Sequence, residues 1–69
     1  MEYLDIMDFI VSERKRQGLT QVQMSGLMNC VRSQLARWET KSVEPSFKVI
    51  QEMLQVLGYT IKIALIEQR

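Results

Sequence analysis

Apolar and polar positions alternate along this chain in two rhythms, a helical one that runs to Gly58 and a shorter one after it. Leu4, Ile6, Met7, Phe9, Ile10 and Val11 form the first apolar block, predicting a helix from about Tyr3 to Gln17. Acids in its first turns suit the positive end of a helix dipole, and Arg14, Lys15 and Arg16 suit the last turn. Gly18 is placed to stop it in the left-handed conformation. Thr20 and Gln23 then have the spacing of a capping box, so a second helix begins at Gln21. It brings Val22, Met24, Leu27 and Met28 and ends near Met28, because Asn29 tolerates the left-handed region. Val31, Leu35 and Trp38 fall at i, i+4 and i+7, one stripe of a third helix. Ser33, Ala36, Arg37 and Thr40 lie opposite, flanked by Arg32 and Gln34.

Thr40 to Pro45 has no apolar period and holds the one proline, which predicts a loop. Ser46 can cap a fourth helix through Leu57, where Gly58 stops it. The apolar residues of that helix cover more than one stripe, enough to fill a core and leave a face for a partner. From Tyr59 to Ile66 the period becomes two: Tyr59, Ile61, Ile63 and Leu65 alternate with Thr60, Lys62, Ala64 and Ile66. The β-branched content favours a strand, although Ile61, Ala64 and Leu65 also suit a short helix. A lone strand in a helical chain exposes unpaired N–H and C=O groups, and pairing with a second copy across a twofold axis would satisfy them. Residues 1–58 are therefore expected to form the main domain and 59–69 a dimerisation strand and tail.

At 69 residues the chain makes one small domain that buries only about 60% of its unfolded surface, so a dimer interface would add to a modest core. One cysteine excludes an internal disulfide, and the lack of histidine leaves no zinc cluster and no ready acid/base catalyst. There is no glycine-rich phosphate loop, and Cys30 at an apolar turn reads as a structural thiol. No enzyme, cofactor or metal is expected. No apolar run would span a membrane, and the acidic start, with Glu2, Asp5 and Asp8, is unlike a secretion signal, so the cytoplasm is the expected location. The net charge of +1 conceals a division along the chain. Residues 1–13 carry four acids and no base; residues 14–48 carry seven bases against Glu39 and Glu44, a net +5. Local charge of that kind is what neutralises phosphates.

Arg14, the run Gly18-Leu19-Thr20-Gln21 and the run Arg37-Trp38-Glu39, with no insertion between Gly18 and Glu39, resemble the lambda-repressor-like (Xre) helix-turn-helix family. Pro45-Ser46, the helix after them and Gly58 fit as well, so the resemblance covers about residues 10–58. It implies a mainly α fold, a bundle of four helices in which the third is a recognition helix. The C-terminal strand is similar to that of antitoxin repressors in the family. Two positions depart from the pattern: Asn29 stands where glycine is usual, and Val31 where Ser or Thr commonly caps the recognition helix. The second departure predicts a loss of about 1 kcal/mol at the helix start.

The resemblance further implies that Arg14 pairs with Glu39 in a largely buried ion pair. It implies too that Gln21 meets a backbone phosphate through its amide and nearby N–H groups. A recognition helix lies in the major groove with its N-terminal half against base edges. Arg32 and Arg37 have the fork that matches guanine, Gln34 the amide that matches adenine, and Ser33 an adaptable hydroxyl. Thr40, Lys41, Ser42 and Lys48 are candidates for phosphates on the other side of the groove. The plainer reading makes each of these a solvated surface residue. Trp38 is read as a core residue and not a stacking platform, because it completes the stripe of Val31 and Leu35. The expected partners are double-stranded DNA and a second copy of the chain, and the expected function is a dimeric repressor at a palindromic operator. An antitoxin that also holds a toxin protein, or an interaction module that does not read DNA, are the alternatives.

Overall fold

The computed structural model describes residues 3–62, which form four helices: α1 (Tyr3–Arg16), α2 (Gln21–Leu27), α3 (Arg32–Glu39) and α4 (Phe47–Val56). Thr20 caps α2 as a full capping box, its hydroxyl accepting from the Gln23 backbone N–H while the Gln23 side chain accepts from the Thr20 N–H. Ser46 caps α4 by accepting from the Val49 N–H at 3.2 Å. Val31 stands at the N-cap of α3 in extended backbone with no side-chain hydrogen bond, so the first turn of α3 lacks that support.

All four helices stop in the same way. The residue after the C-cap takes a positive φ at Gly18 (74°), Asn29 (58°), Lys41 (65°) and Gly58 (91°). At each stop its N–H bonds two residues before the C-cap, and the following N–H reaches one residue further back, as in Gly18 to Lys15 with Leu19 to Arg14 and Lys41 to Trp38 with Ser42 to Arg37. This double closure satisfies carbonyls that a helix end leaves without partners. Glycine adopts the conformation freely and asparagine with little penalty. A lysine there carries strain of about 1–2 kcal/mol.

Met7, Ile10, Met24, Leu35, Trp38, Ile50, Met53 and Leu57 make the core, with Leu19, Met28, Cys30 and Ile61 packed at its margin. Trp38 is a core residue, buried with Leu35 on one stripe of α3. Val22 and Leu27, apolar residues of α2, and Val31, expected on one stripe with Leu35 and Trp38, are more than 60% exposed. At 3.6 residues per turn Val22 and Leu27 lie to either side of the α2 face that buries Met24 and Ser25, and seven residues are too few to wrap both inward. Val31 precedes the helix, so helical spacing does not carry it onto the Leu35 and Trp38 stripe.

Gln17 donates from Nε2 to the Leu57 carbonyl at 2.9 Å, tying the end of α1 to that of α4. Phe9 and Tyr59 meet edge-on, with ring centroids 5.3 Å apart. No strand occurs among the described residues; Tyr59 to Lys62 runs as irregular chain, and Ile63 to Ile66 of the expected strand lie outside them. Among the described residues no helix is long and apolar enough to cross a membrane.

Candidate nucleic-acid interface

The buried centre beneath the basic surface is Glu39. Arg14 grips it with two donors, Nε to Oε2 at 2.6 Å and Nη2 to Oε1 at 2.9 Å, and its remaining Nη1 donates to the Leu19 carbonyl at 2.8 Å. Gln21 Nε2 donates to the same Oε1 at 2.9 Å. Both members of the ion pair are under 10% exposed. One carboxylate therefore joins α1, the first residue of α2 and the last residue of α3. The gain from such a buried pair is largely offset by the cost of desolvating both charges, but removing one member leaves the other desolvated and unpaired.

That junction fixes α3 with Leu35 and Trp38 inward and Arg32, Ser33 and Arg37 exposed. Gln34 and Ala36 are half-buried. The Arg32 and Arg37 guanidinium groups have no hydrogen-bond or ion-pair partner among the described residues. Three other bases of the 14–48 block are occupied. Arg14 is buried on Glu39, Arg16 pairs with Glu13 at 2.7 Å, and Lys41 pairs with Asp8 of α1 at 2.8 Å. The Arg16 guanidinium holds the Glu13 carboxyl below its ordinary range. Lys15 and Lys48 are exposed and unpaired among the described residues, so the basic surface is more focused than a count along the chain implies.

The other expected phosphate contacts are partly engaged within the chain. Gln21 is half-buried with one amide N–H committed to Glu39, which leaves the second N–H of the same group. The Thr40 hydroxyl lies 3.0 Å from the Ala36 carbonyl and 2.9 Å from the Ser42 hydroxyl, an exposed local network at the end of α3. The Asp8 ion pair and the Gln21 bond had no signal along the chain, since Asp8 and Lys41, like Gln21 and Glu39, are neighbours only through the fold. Val31 is an exposed apolar side chain at the head of α3, beside Arg32. Cys30 is half-buried at the turn, where burial, reinforced by Glu52, pushes its thiol up and keeps it in the unreactive protonated form.

Neither a curated protein nor a solved structure matches the chain. A family model described as helix-turn-helix does, over residues 10–63, which takes in the end of α1 and all of α2, α3 and α4. With the helix order, the turn at Asn29 and the exposed basic face of α3 already fixed by the fold, that match means the chain belongs to the lambda-repressor-like (Xre) helix-turn-helix family of DNA-binding transcription regulators.

Proposed function

We propose that the protein is a dimeric repressor in the cytoplasm that reads a palindromic or pseudo-palindromic operator with one α3 per half-site. The observation that carries this reading is the pair of unpartnered guanidinium groups, Arg32 and Arg37, exposed on a helix anchored from behind by Glu39. Forked donors of this kind match the O6 and N7 acceptors of guanine, and Ser33 between them can meet either a base or a phosphate. Lys41, Lys48, Ser42, Thr40 and the free N–H of Gln21 supply phosphate contacts around them. Lys41 exchanges its Asp8 carboxylate for a phosphate oxygen in the complex.

Dimerisation sets the spacing of the two recognition helices near one turn of DNA. Its support is an apolar groove of about 350 Å³ lined by Phe9, Phe47, Ile50, Leu54, Tyr59 and Ile61, with Phe47 more than half exposed. The groove includes Lys62, directly before the segment that carries Ile63 and Leu65.

Selection of bound sites from random duplexes, followed by titration of the selected duplex against salt, tests the function. The expected result is an enriched inverted repeat with half-site centres about one helical turn apart, and an affinity that falls steeply as salt rises. A pool that stays random after repeated selection refutes sequence reading.

A further inference from the structure

Val31 is a residue the fold alone does not favour. At an N-cap, Ser, Thr, Asp or Asn would accept one of the free N–H groups of the first turn; a valine accepts none, and none is accepted here. Burial does not compensate, because the side chain is 67% exposed and makes no part of the core. Its backbone does serve the helix, the Val31 carbonyl accepting from the Gln34 N–H at 3.1 Å, so the isopropyl group is held on ordered backbone directly before Arg32 and Ser33. That is the N-terminal end of α3, the end that approaches base edges when such a helix enters a major groove. The apolar group that base edges present there is the C5-methyl of thymine.

We propose that Val31 is a further specificity residue, covering a thymine methyl in each half-site; the assignment rests on the reading of α3 as the DNA-reading helix. Isopropyl and methyl groups gain by excluding water from each other. An amino group or carbonyl in the same place would lose its water without gaining a partner. The contact therefore favours thymine by attraction and disfavours the other bases by desolvation.

The test uses the full chain and the duplex obtained by site selection. Each thymine is replaced singly by deoxyuridine, which removes only the C5-methyl. At one thymine per half-site the natural chain should lose about fourfold in affinity, the value of one methyl-sized group returned to water. The Val31→Ala chain should show no such loss at that position. Alanine and valine are equally poor caps, so this variant keeps the fold. Val31→Ser, which restores a cap, should melt at a higher temperature and also lose the uridine effect. The proposal is overturned if no thymine methyl matters to the natural chain, or if the fourfold loss persists unchanged in Val31→Ala. A chain that selects no sequence at all fails earlier, at the DNA-reading function, and the Val31 assignment falls with it.

Discussion

Arg37 shows how much one side chain contributes once its surroundings are fixed. It is exposed in the last turn of α3, where a cation also suits the helix dipole, so replacing it disturbs nothing buried. Arg37→Ala should therefore leave the melting temperature within a few degrees. Specific affinity should drop by about 1–3 kcal/mol, with preference relaxed at one operator position. Titration of the selected duplex and its single-base variants checks this, and unchanged preference would remove Arg37 from the reading set. Lys41 makes the complementary case. Its left-handed backbone would suit glycine better, and its exposed ion pair to Asp8 contributes about 0–1 kcal/mol. Lys41→Gly is expected to hold or raise the melting temperature while weakening DNA binding for every sequence and flattening the salt dependence by about one phosphate. A lower melting temperature would show that the lysine serves the fold instead.

Among the elements, α3 depends on contacts from outside itself. It has eight residues, no side-chain cap at its start and a strained lysine at its stop, too little for a helix to persist on its own. Its position comes from Leu35 and Trp38 in the core and from Glu39 beneath Arg14 and Gln21. Glu39→Ala leaves the Arg14 guanidinium buried without its carboxylate, a loss of about 3–5 kcal/mol. A domain of this size has little more than that in total, so circular dichroism should find the variant largely unfolded near physiological temperature. Replacing both partners, Arg14→Met with Glu39→Leu, should restore most of the stability, because no charge is then stranded. If the double variant is as unstable as the single one, the junction acts through something other than the pair.

The stop of α1 and both ends of α2 and α4 were readable in the sequence because each has a local chemical cause, whereas α3 starts at an uncapped Val31 and stops at Lys41. Thr20 with Gln23 and Ser46 start helices, and Gly18, Asn29 and Gly58 stop them, all by bonds within a few residues. The side-chain environments were less readable. Val22 and Leu27 are apolar yet exposed, and Arg16 and Lys41 are basic yet already paired, because those outcomes depend on what the other helices bring alongside. Arg14 and Glu39 were identified through a family pattern; twenty-five positions apart, they have no local signal of their own.

For the whole molecule, the described residues close around one core, and an apolar groove is left between α1, α4 and residues 59–62. Tyr59 rests on Phe9 and Ile61 against the core, so the proposed pairing with a second copy falls to the part of the alternating segment beyond them. Removing residues 63–69 leaves every described contact in place and deletes Ile63 and Leu65. Sedimentation of that variant should show a shift from dimer to monomer at micromolar concentration, with the helical signal retained. An intact dimer would move the interface elsewhere.

The shared carboxylate at Glu39 also governs how the protein meets an imperfect site. Tilting α3 by itself would break three hydrogen bonds at once and uncover a charge, so the reading head has no hinge of its own. In the proposed dimer, adjustment to a mismatched half-site then falls to the duplex, through bending and local twist, or to movement of one whole subunit against the other. Steps that kink easily between the half-sites should accordingly matter to affinity even where no side chain touches them.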